Sequence, residues 1–117
     1  MQTSDTTLLY RPVNQQELDL IEQSGFTKFP PRLPEQPFFY PVMNEEYAIQ
    51  ICVEWNVPAY GSGFVTKFAV KSDYLSKFNV ENVGGVIHNE LWVPADELEE
   101  FNNNIVGCIE VIKEFRQ

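Results

Sequence analysis

A chain of 117 residues, 44% apolar and 14% aromatic, suits one compact domain with ample material for a core. Its formal charge of -9 argues against DNA, RNA or anionic lipid as a bulk partner, because such binding relies on Lys and Arg meeting phosphates, although one local basic pocket stays open. No apolar run is long enough to span a bilayer, and the start MQTSDTTLLYRP has neither the basic end nor the hydrophobic centre of a signal peptide, so a cytoplasmic location is expected.

Residues 1–7 are expected to be a flexible leader. Leu8 to Val13 then reads as a short strand, and Asn14 opens a helix. Asn14 can cap, Glu17 stands three residues later as in a capping box, and Val13 can staple against Leu18; Ser24 and Gly25 supply the stop. From Phe26 to Pro37 four prolines fix φ and remove donors, which predicts a stiff extended loop. Phe38 to Met43 forms a second strand. Asn44 caps a second helix in which Tyr47, Ala48, Ile51, Cys52 and Trp55 recur at helical spacing. Val57 to Gly63 reads as a turn, Phe64 to Val70 as a strand, and Ser72 to Phe78 as a helical turn. Gly84 and Gly85 break the chain before a strand that carries His88. Pro94 opens a short helix through Phe101, and Ile105 to Phe115 is the last strand. The order predicts an α+β fold with a split or strongly bent sheet, two main helices and one or two short ones.

The segment VGGVIHNELWVP is the most informative. Alternation along a strand sends His88 and Glu90 to one face, where both could meet one ligand. Other chemistries lack their signatures. There is no GxGxxG, no GxxxxGK[ST] and no GxSxG. Cys52 and Cys108 both stand in apolar contexts and read as small buried hydrophobes, not as nucleophiles or a disulfide framework. With a single His and no CxxC, no metal site is expected.

The segments LLYRPVNQQELDLIEQSGF, QPFFYPVMNEEYAIQICVEWN, GFVTKFAV and HNELWVPADELEEFNNNIVGCIEVI together resemble a family of small, largely uncharacterised bacterial proteins commonly given ADP-ribosylation names. The resemblance runs from about Leu8 to Phe115. More distantly the chain resembles the ADP-ribosyltransferase fold, a split sheet around an NAD cleft to which three strands contribute one key residue each. The resemblance implies that those residues are Arg11 in LYRP, Tyr40 in FFYP and Glu90 in HNEL, with His88 two residues ahead of the Glu. The first motif has no histidine and the second no Ser-Thr-Ser.

Under that resemblance the ligand is NAD or a related nucleotide. Cleaving the bond between nicotinamide and ribose develops positive charge on the sugar, and Glu90 would stabilise it through a ribose hydroxyl. Arg11 would fork onto pyrophosphate or ribose, Tyr40 would stack on nicotinamide, and His88 would orient the acceptor or share proton transfer. Arg32 in the proline loop is a further anion-binding candidate. Each has a plain structural alternative. Arg11 is then the partner of an acidic side chain, Tyr40 a packing aromatic, and His88 and Glu90 a pair with each other or with Lys67. Trp92, Trp55 and Tyr47 are expected in the core, and Asp96 to Glu100 on a solvated helix face. A reading of another class is a non-catalytic, antitoxin-like module whose acidic surface covers a basic protein. A homodimer that buries some of the aromatic side chains fits either reading.

Overall fold

The computed structural model describes residues 5–82 and 89–116. The first strand, β1 (Thr6–Val13), alternates exposed and buried positions until Leu9, Arg11 and Val13 all point inward. All eight of its residues pair antiparallel with β3 (Ser62–Lys71), from Thr6 opposite Lys71 to Val13 opposite Phe64. β3 in turn pairs antiparallel with the long β7 (Ile105–Arg116). Three of the residues expected in a flexible N-terminus are described and ordered into the domain. Thr6 and Thr7 belong to β1, and the Ser72 amide donates to the Asp5 carbonyl at 3.0 Å.

β1 runs directly into α1 (Gln15–Gln23), whose start obeys the predicted chemistry: Asn14 Oδ1 accepts from the Glu17 amide at 2.8 Å. The helix ends where Gly25 enters the left-handed region at φ +76°. The Gly25 amide donates to Glu22 and that of Phe26 to Ile21, a paired closure that satisfies two of the last carbonyls. The proline loop carries no regular element before β2 (Phe38–Phe39). It is pinned to the domain by Asn102, whose amide group both accepts from and donates to the backbone of Phe29 at 2.9 and 3.0 Å.

The strand expected over Phe38 to Met43 is split. β2 pairs with β6 (Val93–Pro94), while Pro41 lacks the N–H that a continuous ladder needs. Past it, Val42 forms single bridges to Tyr10 on one side and to Glu90 on the other. Glu90 lies in β5 (Asn89–Leu91), which pairs with β4 (Val80–Asn82), a strand that the sequence does not announce. One residue thus joins the three-stranded part of the sheet, ordered β1-β3-β7, to the β4–β5 pair. The architecture is α+β, and the described strands pair antiparallel, with the bridges of Val42 linking β1 to β5.

Asn44 caps α2 (Glu45–Ile51), with Oδ1 accepting from the Glu46 and Tyr47 amides. The helix continues as a π-helical segment, Cys52–Asn56, and then as α3 (Val57–Tyr60), so the turn predicted from Val57 is displaced to Gly61 at φ +82°. Pro58 explains the wide turn. Its ring would collide with the carbonyl four residues earlier, that of Glu54, in a regular α-helix, and the π segment opens the spiral there. The extra residue in that turn rotates the later side chains by about 100° about the axis. Trp55 consequently leaves the buried stripe of Ala48 and Cys52 and is 70% exposed, against the expectation that it packs in the core.

A main core forms where one face of the sheet meets α1, the proline loop and α5 (Leu98–Asn103). Phe29, Phe39, Phe68 and Phe101 interlock there with ring centroids 4.8 to 6.2 Å apart. A smaller cluster of Val42, Ala48, Cys52 and Val65 lies on the other face beneath α2. α4 (Ser72–Leu75) and a 3-10 turn (Ala95–Glu97) complete the described elements. Asp96, Glu99 and Glu100 are exposed, as expected of a solvated face, and Glu97 and Glu100 share Lys77 at 2.5 and 3.7 Å. Cys108 is exposed, contrary to its apolar context, since the bulge at Gly107, with φ +79°, breaks the alternation of β7 there.

Candidate functional site

A cleft of about 350 Å³ lies beside β1, lined by Arg11, Pro12, Tyr40, Val42, Ile51, Asn56 and Glu90. Three of the four residues expected to share a site, Arg11, Tyr40 and Glu90, line it from positions far apart in the chain, but the Arg11 side chain points with Leu9 and Val13 to the main-core face and Glu90 to the other. The fourth, His88, lies outside the described residues.

Arg11 is held tightly. Its Nε donates to Glu17 Oε2 at 2.7 Å and its Nη2 to Glu17 Oε1 at 3.1 Å, a fork on a side-chain pair only 11% and 18% exposed. The guanidinium also lies over the Phe39 ring, 4.6 Å from its centroid. The structural alternative for Arg11 is therefore realised. Glu17 serves both roles of the β1–α1 junction: its amide is capped by Asn14, and its carboxylate turns back to Arg11 instead of closing a capping box.

Arg32 is the freer cation. Its Nε donates to the Phe38 carbonyl at 3.0 Å and so anchors the proline loop to β2. Burial lowers its pKa, as does the nearby charge of Arg11, while Glu17 and Tyr40 act in the opposite direction. Arg11 and Arg32 are thus near neighbours with Glu17 among them, a local cationic spot in a chain of net charge -9. Arg32 lines a second hollow of about 230 Å³ with Asn14, Gln16, Glu17 and Gln36. Of the Arg11–Glu17 pair, Arg11 lines the first hollow and Glu17 the second.

Glu90 presents a carboxylate already oriented by two donors. The Tyr47 hydroxyl donates to Oε2 at 2.9 Å and the Trp92 indole N–H to Oε1 at 2.8 Å. Each oxygen keeps a lone pair for a further donor. Burial, reinforced by the bond to Glu90 and its charge, pushes the Tyr47 phenol up to about 12. The alternative pairing of Glu90 with Lys67 is not formed: Lys67 sits on β3 opposite Tyr10 and Glu110. Tyr40, 36% exposed, stands at the cleft mouth in an aromatic group with Phe38 and Trp92, its ring edge-on to Trp92 at 5.9 Å.

Tyr47, Trp92, Glu17 and Asn56 belong to the site although the sequence does not assign them to it. For Trp92 the signal is period two. His88, Glu90 and Trp92 alternate with Ile87, Asn89, Leu91 and Val93, and the burial of Leu91 and Val93 sends Glu90 and Trp92 to the other face. Trp92 is 42% exposed, so its expected place in the core is corrected, and Tyr47 is partly buried at the cleft. Among the described residues no cluster of three or more His, Cys, Asp or Glu could hold a metal ion, and no helix is long and apolar enough to cross a membrane. No family model matches the chain, and no curated protein matches it by sequence.

Proposed function

We propose that this chain is an ADP-ribosyltransferase-like domain that binds NAD or a related ADP-ribosyl ligand at the cleft and passes ADP-ribose to an acceptor. The observation that carries the reading is that Glu90, Tyr40 and the Arg11 segment of β1, far apart in the chain, line one cleft, with Glu90 held by Tyr47 and Trp92 and the Arg11 side chain turned to the opposite face toward Glu17. An acceptor-rich carboxylate beside an aromatic face suits a ribose with a flat ring attached. In the reaction the bond from C1′ to nicotinamide nitrogen breaks and nicotinamide leaves neutral. The acceptor bonds to C1′ and loses its proton. Glu90, its orientation set by Tyr47 and Trp92, accepts a ribose hydroxyl and stabilises the positive charge that develops on the sugar.

The anion of the ligand falls to Arg32 more than to Arg11, two of whose donors are committed to Glu17. Calorimetric titration with NAD, nicotinamide and ADP-ribose tests the reading. Saturable binding of NAD that is weakened by Glu90→Gln and by Arg32→Ala is expected; a protein that binds none of the three ligands sinks it.

A second reading, the acidic interaction module for a basic protein, draws on the exposure of Trp55 and Tyr60, at 70% and 63%, on the helical arm outside the cleft. A basic protein retained at low salt and released at high salt, with retention lost in Trp55→Ala, would favour it over the enzyme.

A further inference from the structure

The π-helical turn sends one polar side chain into the cleft that the proposed reaction does not use. In a regular helix, Trp55 would continue the sheet-facing stripe of Ala48 and Cys52. The widened turn puts Asn56 there instead. The backbone at this point is pressed against β3: a Cβ on Gly63 would meet Cys52 Sγ at 2.5 Å and Asn56 Cβ at 2.9 Å. Asn56 is thus held at its root by a close helix–strand contact. Its carboxamide makes no hydrogen bond among the described residues, although every other polar side chain of the cleft is engaged or at the mouth. A partly buried amide with one donor group and one acceptor free, at the end of an apolar floor of Pro12, Val42 and Ile51, is complementary to a second primary carboxamide.

We infer that Asn56 recognises the carboxamide of the ring that enters the cleft, so that the site selects a nicotinamide over its nicotinic-acid counterpart. The inference rests on the proposal that the cleft takes an NAD-type ligand. A carboxylate on the ring would still accept from the Asn56 amide nitrogen, but it offers the Asn56 oxygen no donor and faces it with a negative charge, with Glu90 adding a second across the same cleft. Discrimination therefore comes from an unmatched acceptor, the kind of mismatch a small apolar pocket cannot produce.

The test is calorimetric titration of the full chain with NAD, nicotinic acid adenine dinucleotide and ADP-ribose, for wild type, Asn56→Ala and the isosteric Asn56→Asp, each first shown to fold by circular dichroism. Wild type is expected to bind NAD at least tenfold more tightly than the nicotinic-acid dinucleotide. Asn56→Ala should weaken NAD about tenfold and narrow the gap between the two dinucleotides to what the charge of Glu90 alone leaves, with ADP-ribose, which lacks the ring, unchanged; Asn56→Asp, keeping the shape and losing the donor, should also weaken NAD. Three results overturn the inference. If all ligands bind and the preference survives both substitutions undiminished, Asn56 does not read the carboxamide although the cleft is an NAD site. If ADP-ribose weakens in step with NAD, Asn56 shapes the cleft without selecting the ring. If wild type binds no ligand, the reading of the cleft fails and takes the inference with it.

Discussion

Replacing Glu17 with alanine would leave the Arg11 guanidinium without the carboxylate it forks onto, in a place from which most water is excluded. Removing one partner of a buried ion pair costs about 3–5 kcal/mol, because the other charge stays desolvated and unpaired. Side-chain exposures of 11% and 18% leave some route to water and put the cost at the low end, about 3 kcal/mol. The Phe39 ring under the guanidinium is present before and after the change, so it does not offset the loss. For a domain of this size the melting temperature should fall by roughly 10 °C. Thermal unfolding tracked by circular dichroism measures it. A fall of less than about 2 °C would place the pair among solvent-screened surface bridges and refute the reasoning. A double variant, Arg11→Met with Glu17→Leu, should recover most of the loss, since the cost is that of an orphaned charge and not of missing attraction. The same logic makes Arg11→Ala a poor probe of ligand binding, as it strands Glu17.

The packing sets four further outcomes. Tyr47 and Tyr74 are both pushed up to about 12, so tyrosinate absorbance should show two of the five tyrosines ionising late; with the folded phenols protonated while the unfolded ones ionise, stability is full below about pH 10 and declines as pH rises through about 12. A single transition of all five near pH 10 would contradict this. Tyr74→Phe should raise stability by about 1 kcal/mol in a denaturant melt, because the Tyr74 hydroxyl is buried without a hydrogen-bond partner among the described residues. Of the two thiols, exposed Cys108 should react with an aromatic disulfide reagent at once and buried Cys52, pushed up to about 11 by desolvation, only on unfolding; equal rates would count against the packing of α2. Gly63→Ala should destabilise by about 2 kcal/mol and weaken any ligand that contacts Asn56, since both of its close neighbours belong to the π turn; an unchanged melting curve would show that the turn can move aside.

Local chemistry is legible in the sequence wherever one residue type decides a backbone event. Asn14 and Asn44 cap as their spacing predicts, Gly25 ends α1, and the four prolines keep the loop from Phe26 to Pro37 free of regular structure. The long-range events are not legible. That Val42 bridges both Tyr10 and Glu90 depends on which strand Pro41 is prevented from extending, and the sequence of Phe38 to Met43 reads as one strand. Helical spacing misplaces Trp55 because it assumes 3.6 residues per turn, and Pro58 changes that period in the turn ahead of it. Arg11, Tyr40 and Glu90 can be brought together through the family resemblance, whereas the partners that hold them, Glu17, Tyr47 and Trp92, are contacts between elements that no local pattern specifies.

The pairing at Val42 bears on the size of ligand that the proposed function can place in the cleft. Val42 is bonded to Tyr10 in both directions at 2.8 Å, and its neighbours Pro41 and Met43 are bonded to Leu91 and Asn89 at 2.9 and 3.0 Å, so β1 and β5 stand two ladder steps apart. At about 4.8 Å per step, the backbones bearing Arg11 and Glu90 are separated by roughly 10 Å. Under the proposed function, that interval suits a nucleoside and not a whole dinucleotide, and with Arg11 turned toward Glu17 the anion of the longer ligand falls to Arg32. Nicotinamide riboside should therefore respond to Glu90→Gln and be indifferent to Arg32→Ala, whereas NAD should respond to both. A riboside weakened by the Arg32 substitution would mean that the two hollows are not successive stations for one ligand.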